Sequence, residues 1–327
     1  MSLARVLVTG GSGFIGTNLI DACAAAGWRV ANFDVHAPKK AGHRGYWLQG
    51  DMLDKDAIAR AIAEFQPTAV AHLAARTDLD ETCQLGAYAV NFDGTDNLIQ
   101  AARNHAGIKR VVFVSTMLVT RPGHVPRSDA EYSAHTLYGQ SKVLMEKRIR
   151  SAGNLPFVWS ILRPPLVWGP WVSAHYQNFF RLVARGRYFH IGGGRAIRTL
   201  GYVDNVVKHI ITAATASAEK VQERVFYVGD DQPTVLADWA EEIRRQLGAP
   251  PIRSMPYSVA RIAATAGDVL GKLGIRTPIS TFRLGNIVTD WVLPVQPMAN
   301  LSSLTPTTLP DGVAATIAWM RAEKLLT

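Results

Sequence analysis

Through the first half of the chain, short aliphatic runs alternate with longer segments whose apolar residues recur every three or four positions. The short runs fall at 5–9, 28–33, 46–49, 68–73, 110–115 and 157–163. A run that is apolar on both faces suits a strand covered on both, as in a parallel sheet flanked by helices. Between these runs, 14–26, 54–65, 85–104 and 138–151 carry helical period, and Asp54 stands where a cap belongs. Strands alternating with helices predict βαβ units with right-handed crossovers. The expected architecture is therefore α/β, a doubly wound parallel sheet.

Beyond Pro164-Pro165 the alternation weakens. Helices are expected over 171–186, 203–217 with Asp204 as cap, 234–247 with Thr234 as cap, 259–273 and 311–325, and a strand over 224–228. Residues 191–202 read as loop and short strand. The division this implies is a nucleotide-binding domain over 1–165, rejoined by 203–230, and a smaller, mostly C-terminal α/β substrate lobe from 166–202 and 231–327.

The turn after the first strand changes the picture most. Gly10, Gly13 and Gly16 follow it at three-residue spacing and open the first helix. In a strand–turn–helix, the first glycine permits the tight turn and the second lets a pyrophosphate approach the backbone. The third lets helix pack closely on strand, and the helix N-terminus offers N–H groups to the anion. Asp34 ends the second strand 18 residues after Gly16, where an acid is expected to hold an adenine ribose.

At 48% hydrophobic and 19% charged, the 327-residue chain reads as globular. It has no run of about 18 apolar residues, so no transmembrane helix is expected. The first strand begins within a few residues of the N-terminus, leaving no room for a signal peptide. Cys23 and Cys83 lack metal-site spacing; no metal and a cytoplasmic location are expected, with Cys23 a small core residue. The net charge of +9 is concentrated: from Lys147 to Val203 there are nine cations and no acid, while basic and acidic residues balance at 26 each elsewhere. An unopposed positive field favours an anionic partner. No nucleic-acid motif accompanies it, so a phosphorylated small molecule is expected rather than nucleic acid or membrane.

Tyr138 and Lys142, four apart on a predicted helix, project from one face. An ammonium beside a phenol favours the phenolate, which can take a proton from a substrate hydroxyl as hydride leaves the same carbon. Ser115 and Thr116 end a strand at the edge where ligands bind in open α/β sheets, and a hydroxyl there is placed to hold the reacting oxygen.

Thr9-Gly10-Gly11-Ser12-Gly13-Phe14-Ile15-Gly16 resembles the fingerprint of the extended short-chain dehydrogenases/reductases, the nucleotide-sugar epimerase and dehydratase group. Matches follow in family order at Asp34, Gly50-Asp51, His72-Leu73-Ala74-Ala75, Asn91 with Gly94-Thr95, Ser115-Thr116, Tyr138-Gly139-Gln140-Ser141-Lys142, Leu162-Arg163-Pro164, and Arg198 with Tyr202-Val203-Asp204. The resemblance spans roughly residues 1–230. It implies a Rossmann fold and a catalytic triad of Thr116, Tyr138 and Lys142. It also implies a cofactor trough built from Gly10, Gly13, Phe14, Ile15, Gly16, Asp34, Asp51, Met52, Leu73, Ala74, Ala75, Asn91, Ser115 and Pro165. Asp34 would favour NAD over NADP, with Lys39 and Lys40 close by. Arg198 would meet a substrate diphosphate, and the family implies a homodimer through 85–104 and 138–151.

The resemblance has departures. Family 4,6-dehydratases carry Asp-Glu after the catalytic Thr, where this chain has Met117 and Leu118. Neither transfers a proton, so dehydration is not expected, nor is the related decarboxylation. Thr120-Arg121 replaces a usual Tyr-Gly. Reversible hydride transfer at a secondary alcohol remains, with C4 of a nucleotide-diphosphate sugar as the expected position, in a 4-epimerase or 4-ketoreductase. The alternatives are a hydroxysteroid-type or other alcohol dehydrogenase, with the 259–273 helix and Trp168–Trp171 lining a lipophilic pocket, and a dinucleotide-binding sensor without turnover.

Overall fold

The computed structural model describes residues 5–79, 83–124, 126–272 and 281–326. The chain opens with β1 (Arg5–Thr9), α1 (Phe14–Ala25), β2 (Arg29–Asp34), β3 (Trp47–Gln49), α2 (Lys55–Phe65) and β4 (Ala69–His72). It continues through α3 (Ala89–Arg103), β5 (Arg110–Val114), α4 (Leu137–Ser151), β6 (Val158–Arg163), β7 (Leu166–Trp168) and α5 (Ala174–Ala184). Then come β8 (Phe189–Ile191), β9 (Ile197–Arg198), β10 (Leu200–Tyr202), α6 (Val203–Thr215), α7 (Ala218–Val221) and β11 (Arg224–Tyr227). The remainder is β12 (Thr234–Val235), α8 (Leu236–Leu247), β13 (Arg253–Met255), α9 (Tyr257–Lys272), α10 (Thr281–Val288), α11 (Gln296–Ala299) and α12 (Leu309–Ala322). Residue 273, the last of one expected helix, lies outside the described residues.

Seven strands form one parallel sheet in the order β11-β6-β5-β4-β1-β2-β3. Its alternation explains the unbroken aliphatic runs. Val6 and Val8 of β1 join a core with Leu19 and Ile20 of α1 and Val206 of α6, while Leu7 between them faces the other layer with Ile58, Leu98 and Met145. β5 divides likewise, Val112 and Val114 to the first core and Val111 and Phe113 to the second. Both faces are dry, so both must be apolar. The chain winds outward from β1 to β3, then returns to β4 on the other side of β1. That reversal opens a crevice beyond the carboxyl ends of β1 and β4.

Three smaller pairings, β7 with β10, β8 with β13 and β9 with β12, organise the C-terminal part. They correct two expected caps. Asp204 lies inside α6, whose N-cap is Tyr202, and its carboxylate pairs with Lys208 at 2.6 Å and accepts from the Thr307 hydroxyl. Thr234 is paired with Arg198 in β12, so α8 starts at Leu236 instead. The helix expected from 171 begins at Ala174, because Trp171 adopts φ +71° and breaks the period. Trp168 is fully buried, its ring 5.0 Å from Tyr202 and 5.4 Å from Trp239, so core packing accounts for it.

Three cations of the acid-free basic window meet acids once the chain is folded. Arg148 bonds Asp93 and Asp96, Arg150 pairs with Asp129 at 3.2 Å, and Arg163 meets Glu146 in the core at 2.6 Å. Sequence neighbours lack acids, but the fold supplies them from α3, α4 and the loop before α4.

Candidate active site

The crevice is an open cleft of about 930 Å³. Its floor begins at the glycine turn. Gly10 has φ +72°, and a Cβ there would stand 2.6 Å from the Ala74 nitrogen; a Cβ on Gly16 would collide with the Gly10 carbonyl. Only glycine lets β1, α1 and the loop after β4 converge so closely. No side chain caps α1, so its leading N–H groups are left for an anion. Across the cleft, Asp34 accepts from the Ser12 nitrogen at 3.0 Å and from the His36 nitrogen at 2.9 Å. An anion cradle with a carboxylate at its rim fits the pyrophosphate and ribose of a dinucleotide.

Gly10, Gly13, Phe14, Ile15, Gly16, Asp34, Asp51, Met52, Leu73, Ala74, Ala75, Ser115, Thr116, Tyr138, Lys142 and Pro165 all line this one cleft. Asn91 and Arg198 do not. Asn91 is fully buried: its amide oxygen accepts from the Arg76 nitrogen at 2.8 Å, and its nitrogen donates to the Arg76 carbonyl and the Ser141 hydroxyl. It ties the loop after β4 to α3 and α4. Arg198, also buried, donates to the Thr289 carbonyl at 3.0 Å, and its Nε has no hydrogen-bond partner among the described residues. Of the two neighbouring lysines, Lys39 lines the cleft, whereas Lys40 is held by Asp21 at 2.7 Å.

Tyr138 and Lys142 sit on the first turns of α4, whose N-terminus Thr136 caps by accepting from the Gly139 nitrogen. Burial pushes the Tyr138 phenol up to about 12, against the opposing hydrogen bond of Thr116. The resting phenol therefore carries its proton at neutral pH. Lys142 donates to the Val114 carbonyl at 2.8 Å and lies 3.4 Å from the Met145 sulfur. Burial pushes its ammonium down to about 8, with the Glu146 charge acting against the shift.

Glu146 is the site residue that the sequence reading passed over. It is fully buried one turn beyond Lys142 and accepts from Ser115 Oγ at 2.6 Å, Arg163 Nε at 3.0 Å, Arg163 Nη2 at 2.6 Å and Tyr132 Oη at 3.1 Å. Burial works against the Arg163 charge, but the hydrogen bonds and charge of Glu146 outweigh it. The Ser115 hydroxyl is thus turned to Glu146 rather than into the cleft, which leaves Thr116 as the strand-end hydroxyl beside the phenol. Signals for this network were present: an acid between the apolar Met145 and Ile149, and an arginine ending a buried strand. Met117 and Leu118, at the dehydratase positions, pack against Tyr227, Trp291, Leu293 and Val295, and neither of the two carries a group that transfers a proton. Cys23 is a core residue as expected, and burial pushes its thiol up to about 12.

Comparison with known proteins agrees with this geometry. The model of the NAD dependent epimerase/dehydratase family matches residues 6–229. The chain is 25% identical over 324 residues to N-acetyl-alpha-D-glucosaminyl-diphospho-ditrans,octacis-undecaprenol 4-epimerase of Escherichia coli O157:H7, covering 96% of this chain and 95% of that one. It is 27% identical over 298 residues to 3-beta-hydroxysteroid dehydrogenase of Mycolicibacterium neoaurum, covering 85% and 80%. By structure it resembles UDP-glucose 4-epimerase of Thermotoga maritima with UDP-glucose, at a TM-score of 0.76 and 20% identity over 98% of this chain and 99% of that one. That last likeness concerns the fold.

Proposed function

The chain belongs to the NAD dependent epimerase/dehydratase family and is an NAD-dependent enzyme of that type, and from this premise we propose that it transfers hydride reversibly at a secondary alcohol, C4 of a nucleotide-diphosphate sugar, as a 4-epimerase or 4-ketoreductase. One observation carries the reading: a buried phenol and a lysine one turn on line the cleft, and the two residues after Thr116 are Met117 and Leu118, neither of which transfers a proton. NAD, when bound, supplies the hydride acceptor. Tyr138 takes the hydroxyl proton of the substrate as its C–H bond breaks, and gives it back when the ketone is reduced. Thr116 orients the same oxygen. Because the resting phenol lies near 12, it is set as an acid, and a nearby positive charge must favour its ionisation in the oxidative direction. Lys142, still mostly charged at neutral pH, is that charge within the chain.

Asp34 holds the adenine ribose and repels a 2′-phosphate. Arg198, with a buried donor that lacks a hydrogen-bond partner among the described residues, is the group assigned to the substrate diphosphate. The same reading carries a homodimer through α3 and α4, which sedimentation at micromolar concentration checks.

Tyr138→Phe is expected to lower turnover of a sugar nucleotide by roughly 10²–10⁴-fold while dinucleotide binding, read by fluorescence titration, stays unchanged. Equal turnover by this variant would overturn the proposal. Following cofactor absorbance in the wild type separates the two activities: an epimerase interconverts epimers with no net reduced cofactor, a reductase consumes it stoichiometrically.

A further inference from the structure

His72 ends β4 in full burial, and no step of the proposed reaction uses it. Both of its ring nitrogens are occupied. Nδ1 lies 2.7 Å from the Thr9 hydroxyl of β1, and Nε2 lies 2.9 Å from the Thr95 hydroxyl of α3. The groups beyond them fix the direction of each bond. Thr95 donates its one proton to the Asn91 carbonyl at 2.9 Å, so its oxygen accepts from Nε2–H. Thr9 then donates to the bare Nδ1, while its oxygen accepts from the Ala74 nitrogen at 3.3 Å. The opposite tautomer leaves the Thr9 proton without an acceptor among the described residues.

The two ends of this chain of uncharged groups are the two halves of the site. At one end, Gly10 follows Thr9 and lies so close to Ala74 that a Cβ would stand 2.6 Å from its nitrogen. At the other, Asn91 donates to Ser141 Oγ at 2.8 Å, and Ser141, the residue before Lys142, donates to the Tyr138 carbonyl at 2.7 Å. His72, Thr95, Asn91 and Ser141 do not line the cleft, yet they join the dinucleotide cradle to the catalytic helix. A second ring proton has no place in this arrangement. β1 and α3 present hydroxyls to the ring, β5 presents the Phe113 ring 5.9 Å away, and α4 brings the Lys142 ammonium. Burial, and after it that ammonium, push the imidazole down to about 3. An uncharged ring in turn spares Lys142 a like charge.

We propose that His72, held as the Nε2–H tautomer, is a positioning residue: it sets the register between the glycine turn that receives the dinucleotide and the helix that presents Tyr138 and Lys142. This rests on the role proposed for Tyr138 and adds to it a residue that does not reach the cleft. Nicotinamide and phenol are carried by different elements of the fold, so an error of about 1 Å between them can cost about 10²-fold in rate.

Two measurements test this, and the first needs no substrate. In nitrogen-15 spectra of the intact chain labelled at histidine, the His72 signals are identified by their loss in His72→Asn or their displacement in Thr95→Val. They are expected to show a bare Nδ1 and a protonated Nε2, unchanged from pH 8 to pH 5. An Nδ1–H tautomer, or a ring that titrates within that range, overturns the proposal. The second measurement uses Thr95→Val, which keeps the shape of the side chain and removes the acceptor for Nε2–H. This variant is expected to bind NAD roughly tenfold more weakly by fluorescence titration. At saturating NAD its kcat for a sugar nucleotide should fall roughly tenfold with KM unchanged. Thr95→Ser, which restores the hydroxyl, should recover both, with circular dichroism showing each variant folded. If Thr95→Val matches the wild type in either measure, or Thr95→Ser is no better than Thr95→Val, the proposal falls. A wild type that turns over no sugar nucleotide would sink the proposed reaction, while the tautomer and the NAD titration would still decide the role of His72.

Discussion

The cleft floor and α9 invert the usual sorting of residues in opposite senses. Beneath the cleft, Glu146 and Arg163 are fully buried and Lys142 nearly so, while along α9 Ile262 and Val269 stand mostly in water. The two inversions are held differently. Glu146 receives four hydrogen bonds and an arginine charge, so its burial is satisfied from every side. Lys142 has one carbonyl and one thioether, and no carboxylate touches it. The exposed face of α9 has little laid against it among the described residues. A buried charge needs partners to persist, whereas an exposed aliphatic face persists without them. The floor is therefore stiff by construction, and α9 can be altered with little consequence for the fold.

Substitution sharpens that contrast, beginning where the effect should be greatest. Glu146→Ala leaves Arg163 charged and unpaired in the core and should destabilise the protein by about 3–5 kcal/mol, read as a lower urea midpoint. Adding Arg163→Met to Glu146→Met should restore most of that loss, because both charges then leave together. If the double variant is no better than the alanine, the pair is not the organising element of the floor.

Lys142→Met should act the other way. The folded ammonium titrates near 8 against an ordinary value of 10.5. Below 8 both folded and unfolded chains hold the proton, and the burial penalty is fully present; between 8 and 10.5 the folded chain releases it first, and the penalty fades. The variant should gain on the order of 1–3 kcal/mol at pH 7, a gain that shrinks as pH rises through that window, and should lose activity. Melting temperatures of both proteins across that range check the sign. The smallest effect belongs to α9: Ile262→Gln should change stability by no more than about 0.5 kcal/mol. A larger loss would mean that this face is packed against something in the protein and would erase the contrast.

How far the sequence carried the reading follows the same line. The glycine turn, Asp34 and the alternating strands were legible because their signals are local: spacing, an aliphatic run, a helix stop. Tyr138 and Lys142 were legible because four residues on a helix set their common face. Glu146 was not, although it sits four residues further along the same helix. Its meaning comes from Ser115, Tyr132 and Arg163, which only the folded sheet brings to it. The caps at Asp204 and Thr234 failed for a related reason, since a chain entering from a strand takes its cap geometry from the pairing. Which cations of the basic window meet acids, Arg148, Arg150 and Arg163, was not legible, because linear neighbourhood says nothing of the acids the fold brings to them.

Asp34 has a consequence for anyone wishing to retune the coenzyme preference. Each of its oxygens clasps a main-chain N–H, one from the glycine turn and one from the loop beyond β2. Swapping it for a neutral residue to admit a phosphorylated ribose would also unfasten the two backbone turns that shape the pocket. On the proposed assignment selectivity and scaffold share one carboxylate, so a redesign must replace the fastening before it can change the guest.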